Sequence, residues 1–112
     1  MPIFKIKFQF FEKNLNYTLV LKGKNTIVKS DEEIYINNTG NSGMATAGSG
    51  DCLTGIILSL LGQGLSAFNS AKLGVFIHGL AGDFAKEELG EDSLVASDII
   101  KFLPKAIKYI RE

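Results

Sequence analysis

The chemistry in this chain gathers in one stretch, Asn41-Ser42-Gly43-Met44-Ala45-Thr46-Ala47-Gly48-Ser49-Gly50-Asp51-Cys52-Leu53-Thr54-Gly55. Glycines and small residues lead straight into an apolar helical pattern, with a single acid at the junction. Glycine permits backbone turns that other residues resist and lets a ligand come close to the main chain. The first N–H groups of a helix have no partners inside it and lie at the positive end of the helix dipole, so a phosphate is well placed there. An acid at the same point is electrostatically odd unless it takes part in chemistry or merely caps the helix, a position that Asp favours. Both readings stay open on the local pattern. The stretch is not a Walker loop, because no Gly-Lys-Ser/Thr follows the glycines, and Gly48-Ser49-Gly50 supplies only two glycines of the G-x-G-x-x-G dinucleotide fingerprint.

A longer run narrows the choice. Asn38 to Ile57 reads closely as N-x-G-N-x-G-M-A-T-A-G-S-G-D-x-L-T-G-I-I, with Cys52 where Val is common. Leu21-Lys22-Gly23-Lys24-Asn25-Thr26 reads as L-K-G-x-x-T, and Gly74 to Asp83 as G-V-x-x-H-G-L-A-G-D. In these three blocks, in this order, the chain resembles the ADP- or ATP-dependent NAD(P)H-hydrate dehydratases of the ribokinase-like superfamily. The shorter G-A-G-D run of the sugar kinases fits less well. The resemblance spans roughly residues 14–110. It implies the C-terminal part of a ribokinase-like three-layer α/β/α domain, occupying residues 1–112. It also implies that strands and pocket walls contributed by earlier residues of the family are missing.

The resemblance implies roles as well. Asp51 is the catalytic base, also touching substrate, and takes the proton from the hydroxyl that attacks the terminal phosphoryl group. A carboxylate in that role acts late, as the hydroxyl loses its proton during transfer. Ala47, Gly48, Ser49 and Gly50 form an anion hole for the transferred group. Lys22, Gly23, Lys24, Asn25 and Thr26, with Gly50, bind the adenine nucleotide, although the same hairpin residues also suit a plain solvated turn. The cofactors implied are ADP or ATP, with ADP preferred, and Mg²⁺ carried on the nucleotide phosphates rather than in a protein cage. The partners are NAD(P)H hydrate and the nucleotide. Asn38 and Asn41 tie the loop or help bind metal, and Thr46 and Ser49 donate to phosphate or to the backbone. His78, the only histidine, lies in an apolar helical pattern and reads as a packed core residue. Cys52 stands at a helix start, where thiolates are favoured, but reads as a small buried hydrophobe.

Composition bounds the alternatives. The 112 residues are 46% hydrophobic and 21% charged, ordinary for a folded domain. Twelve Lys+Arg balance twelve Asp+Glu, so no global basic field points to nucleic acid. A single cysteine excludes an internal disulfide and suits a cytoplasmic setting. No apolar run is long enough for a membrane span, and Lys5 and Lys7 interrupt any signal-like run at the start.

The elements that position the loop follow from periodicity. Phe4, Ile6, Phe8 and Phe10 alternate as in a strand, while Phe4, Phe8, Phe11 and Leu15 recur at helical spacing. The resemblance favours a helix ending near Asn14. The aromatic excess there fits an interface. Tyr17 to Leu21, Thr26 to Val28 and Ile34 to Ile36 read as short strands, the last two antiparallel across tight turns. A first helix is expected from about Asp51, with Leu53, Ile56, Ile57, Leu60 and Leu61 on one stripe and Gly62 and Gly64 as terminators. Ser66 caps a second helix whose Gly74, Gly79 and Gly82 imply close packing. Ser97 caps a last one, which Pro104 should kink or divide. With few strands and strongly apolar helices, the chain is expected to self-associate as a homo-oligomer or to be completed by another chain, with weak activity alone. A ribokinase-like small-molecule kinase and a non-catalytic nucleotide-binding remnant are the rival functions.

Overall fold

The structure is a computed structural model and describes residues 17–112. The helix expected to end near Asn14 lies outside the described residues. Three short strands, β1 (Leu19–Leu21), β2 (Ile27–Lys29) and β3 (Ile34–Ile36), form an antiparallel meander in the order β1-β2-β3. The register places Val20 opposite Val28 and Val28 opposite Tyr35. Because side chains alternate along a strand, these three residues share a face. That face packs on the helices: Val28 is fully buried in a cluster with Leu53, Phe68, Ala71 and Val75, and Val20, Tyr35 and Ile57 press against it. The opposite face carries Ile34 and Ile36, each 58% exposed. Among the described residues the sheet is therefore covered on one side.

After β3 the chain makes a 3-10 turn at Ser42–Met44 and enters α1 (Ser49–Gly62), then α2 (Ala67–Leu89), α3 (Ala96–Lys101) and α4 (Leu103–Arg111). The first helix starts at Ser49, close to the expected Asp51, and its cap decides between the two local readings of that acid. Gly48, not Asp51, is its N-cap, with φ at +87°, a left-handed conformation that glycine adopts without strain. The Cys52 N–H closes the first helical bond on the Gly48 carbonyl at 3.0 Å, so Asp51 lies inside the first turn. The helix ends as the glycines imply. Gly64, at φ +99°, donates to the Leu61 carbonyl at 3.0 Å and Leu65 to the Leu60 carbonyl at 3.4 Å, the paired bonds of a Schellman motif.

Ser66 caps α2 through its hydroxyl, which accepts the Asn69 N–H at 3.2 Å. Ser97 does not cap α3. The helix begins after Val95, whose N–H is taken by the Asp98 carboxylate at 2.9 Å. The carboxylate supplies the returning half of a capping box, while the Asp98 N–H is taken by the Val95 carbonyl at 2.9 Å and no side chain caps the helix. Pro104 divides the last helix as anticipated: α3 stops at Lys101, Phe102 is the joint, and Pro104 falls in the first turn of α4, where its missing N–H costs little.

Helix α2 is the central support. Beyond the sheet cluster it forms a second core, with Ile77, Ala81 and Ala85 against Met44, Leu94, Ile99 and Ala106. Its glycines are contact points. A Cβ on Gly74 would lie 2.7 Å from Ile57 of α1, and one on Gly82 would meet Met44 of the 3-10 turn. A Cβ on Gly79 would lie 2.7 Å from the backbone carbon of Thr39. One face of α2 thus seats the loop that leads into α1. No helix among the described residues is long and apolar enough to cross a membrane.

Candidate active site at the start of the first helix

Loop 37–44 is fixed before it reaches the glycines. Asn37, 4% exposed, accepts the Tyr35 hydroxyl at 2.8 Å and donates through Nδ2 to the Val75 carbonyl at 3.3 Å and to Thr39 Oγ1 at 3.1 Å. Thr39 Oγ1 donates to the Phe76 carbonyl at 3.0 Å. Asp83 then uses both carboxylate oxygens: Oδ2 accepts the Gly40 N–H at 3.0 Å and Oδ1 accepts Asn41 Nδ2 at 2.9 Å. Asn41 Oδ1 accepts the Gly43 N–H at 3.0 Å and opens the 3-10 turn. Of the two expected uses of Asn41, the structure shows the tie.

The turn 45–48 delivers a set of unused donors. Thr46 donates its N–H to the Met44 carbonyl at 2.9 Å, and Ser49 donates its N–H to the Thr46 carbonyl at 3.2 Å. Among the described residues, the amides of Ala47, Gly48, Gly50 and Asp51 have no hydrogen-bond partner. Sequence reasoning named Ala47, Gly48, Ser49 and Gly50 as the donor set. Geometry removes the Ser49 amide, already spent on closing the turn, and adds that of Asp51. Four unpaired amides at the start of a 14-residue helix give a concentrated positive potential.

Lys22 adds a full charge. It follows β1 directly, and its Nζ lies so close to Gly50 that a Cβ there would collide with it. The hairpin and the helix start are thereby brought together, through Lys22 and Gly50. Gly23, Lys24 and Asn25 form the exposed turn, and Thr26 Oγ1 donates to the Gly23 carbonyl at 3.5 Å. Asp51 is exposed and is one of the residues lining a groove of about 570 Å³ between α1 and the last two helices, with Gly48, Ile56, Leu60, Ile100 and Ile107 among the others.

His78 was missed as part of this site. Its Nε2 lies 3.1 Å from the Ser49 carbonyl and 3.3 Å from Ser49 Oγ. It is a half-buried residue of α2 lying against the first turn of α1. Burial pushes its pKa below the ordinary imidazole value, the Lys22 charge adds to that, and the bond to the Ser49 carbonyl works against both. Cys52, expected as a small buried hydrophobe, is half-buried: it packs on the edge of the second core, and burial raises its thiol pKa. No group of three His, Cys, Asp or Glu among the described residues is placed to hold a metal.

Comparison with known proteins decides the family. Residues 7–105 match the model of a family described as NAD(P)H-hydrate dehydratase. The chain belongs to the NAD(P)H-hydrate dehydratase family. Within the family, a bifunctional NAD(P)H-hydrate repair enzyme of Thermofilum pendens is 50% identical over 95 residues, 84% of this chain and 18% of that protein. An ADP-dependent (S)-NAD(P)H-hydrate dehydratase of Neisseria meningitidis is 57% identical over 74 residues, 65% of this chain and 25% of that protein. The fold matches a Bacillus subtilis ADP/ATP-dependent NAD(P)H-hydrate dehydratase co-crystallised with ATP/Mg²⁺ and soaked with CoA, with a TM-score of 0.81 at 29% identity. That match covers 88% of this chain and 37% of the Bacillus chain. This dehydratase-family chain thus spans between about a fifth and two fifths of the relatives it matches.

Proposed function

We propose that this chain carries the phosphoryl-handling part of an ADP- or ATP-dependent dehydratase that returns hydrated NAD(P)H to NAD(P)H. The observation that carries the reading is the α1 start, where four unpaired amides and the Lys22 ammonium surround the turn that also exposes Asp51. The residues present fit the phosphates of a nucleotide, since every group facing them except Asp51 is a donor or a cation. No group of three acidic, His or Cys side chains among the described residues is placed to hold a metal, and Mg²⁺ would arrive on the phosphates, as is usual for that ion.

The bound nucleotide supplies the phosphoryl group, and Mg²⁺ offsets its charge. The chain's own residues do the rest. The amides of Ala47, Gly48, Gly50 and Asp51 take up negative charge on the transferring group, a preorganised arrangement that needs no rearrangement during reaction. Lys22, whose Nζ lies against Gly50, would hold the phosphates by its charge. Asp51 accepts the proton of the ring hydroxyl as that oxygen bonds to phosphorus and the nucleotide's P–O bond breaks. The phosphorylated carbon would then lose phosphate, with the C–O electrons, while a neighbouring ring C–H gives its proton to the departing phosphate or to water and the nicotinamide double bond re-forms. ADP is the preferred donor, in keeping with the Neisseria relative's description as ADP-dependent.

The test is recovery of nicotinamide absorbance from NADH hydrate by the protein that carries this chain, with ADP or ATP and Mg²⁺. Recovery dependent on the nucleotide is expected. Persistence of the hydrate while a sugar or vitamin alcohol is phosphorylated would replace the reading with a small-molecule kinase. Nucleotide binding without either reaction would leave a non-catalytic remnant.

A further inference from the structure

We propose that His78 is a positioning residue of the anion-binding turn: it grips the Ser49–Gly50 peptide by its carbonyl and so aims the Gly50 N–H at the bound phosphate. The inference rests on the nucleotide reading for the identity of the anion, and on geometry for everything else.

A carbonyl oxygen only accepts, so the 3.1 Å contact between His78 Nε2 and the Ser49 carbonyl is a hydrogen bond in the tautomer that carries its proton on Nε2, which is the tautomer the proposal assigns. The Ser49 hydroxyl, 3.3 Å from the same nitrogen, then receives the second branch of a forked bond. The Ser49 carbonyl and the Gly50 N–H belong to one planar trans peptide and point in opposite directions. Holding the carbonyl from the α2 side therefore fixes the direction of the N–H as well. Gly50 is one of the residues whose amide has no partner among the described residues, and Lys22 Nζ lies against it. A donor on the carbonyl also polarises that peptide and strengthens its N–H as a donor.

Two further features suit the task. Burial and the Lys22 charge keep the ring neutral to lower pH than usual, so His78 adds no formal charge of its own. Position 78 adjoins Gly79, which seats Thr39, and lies one turn before Gly82, which seats Met44. The same stretch of α2 thus sets both ends of the loop, through the glycines at the beginning and His78 at the helix start.

The experiment reads the imidazole directly in the full chain. With one histidine in the sequence, long-range ¹H–¹⁵N correlation at pH 7.5 assigns its tautomer without ambiguity. The neutral Nε2–H form is expected. A proton on Nδ1 alone overturns the proposal whether or not the chain binds nucleotide, so its failure is distinguishable from failure of the functional reading. AMP is then titrated while the Gly50 amide is followed. His78→Leu, which keeps bulk and loses the donor, should weaken AMP by roughly fivefold, the effect of one lost hydrogen bond. His78→Gln, whose terminal amide reaches the same carbonyl, should restore affinity to within about twofold. Equal AMP affinity in the wild type and a folded Leu variant overturns the proposal. If the Leu variant does not fold, the tautomer and the Gln variant decide.

Discussion

Replacing Gly79 with alanine separates packing from helix propensity. In an isolated helix Gly→Ala is favourable by about 1 kcal/mol. At position 79 the added Cβ would lie 2.7 Å from the carbonyl carbon and 2.8 Å from the Cβ of Thr39. Backbone cannot swing aside as a flexible side chain can, so the loop must lift. Overpacking of this kind costs about 1–3 kcal/mol. Lifting Thr39 also breaks its 3.0 Å bond to the Phe76 carbonyl, worth about 1 kcal/mol, and disturbs the Thr39 contact of buried Asn37. Set against the propensity gain, the net loss is about 1–3 kcal/mol, or roughly 4–8 °C of Tm per kcal/mol for a domain of this size. Gly55→Ala is the control. Nothing lies within 4 Å of a Cβ there, so propensity acts alone and stability should rise by about 0.5–1 kcal/mol. Thermal and urea unfolding of both variants gives the comparison. A Gly79→Ala protein as stable as wild type would refute the claim that α2 seats the loop through its glycines.

Other expectations follow from the same geometry. Gly50→Ala leaves α1 intact but displaces Lys22, so phosphate or AMP affinity should fall by calorimetry while the Tm changes little. Lys22→Gln should weaken AMP by roughly fivefold or more, since a bond from a charged donor exceeds a neutral one. The His78 pKa is lower in the fold than in the unfolded chain, so the unfolded state binds more protons just below the ordinary imidazole value of about 6.5. Stability should therefore fall as pH drops from about 6.5 toward the folded pKa, and His78→Gln should remove that part of the slope in urea titrations at successive pH values. The apolar outer face at Ile34 and Ile36 and the groove residues Ile100 and Ile107 should drive self-association of the chain alone. Light scattering that finds a monomer at all concentrations would count against this.

Much of the architecture was legible because local rules governed it. Turn residues and alternation gave the three strands, and Pro104 divided the last helix as its ring geometry demands. Small residues at positions 74, 79 and 82 signalled close approach. The misplacements came from local rivals. At Asp51 the local pattern left cap and chemistry open, and the left-handed Gly48 took the cap position, which puts Asp51 inside the first turn. Ser97 lost to Asp98 because a carboxylate one turn in could reach the Val95 N–H. The site's supports were hidden by distance. His78 meets Ser49 across 29 residues and Asp83 meets Asn41 across 42, and periodicity reports which face a residue occupies, not which loop crosses it. One signal was available: His78 and Asp83 are polar residues within an otherwise apolar and small-residue stretch of α2, a pattern that asks for partners.

The central claim is that Asp51 moves a proton and does not serve merely to hold the helix. Asp51→Asn tests it in the protein that carries this chain, with unfolding free energy and hydrate turnover measured on the same preparation. The exposed carboxylate is not the N-cap and contributes only its interaction with the helix dipole, so stability should drop by less than about 1 kcal/mol. Turnover of NADH hydrate with ADP and Mg²⁺ should fall by about 10²-fold or more. A folded Asn variant that clears hydrate at close to the wild-type rate would contradict the account and leave Asp51 as an ornament of the helix start.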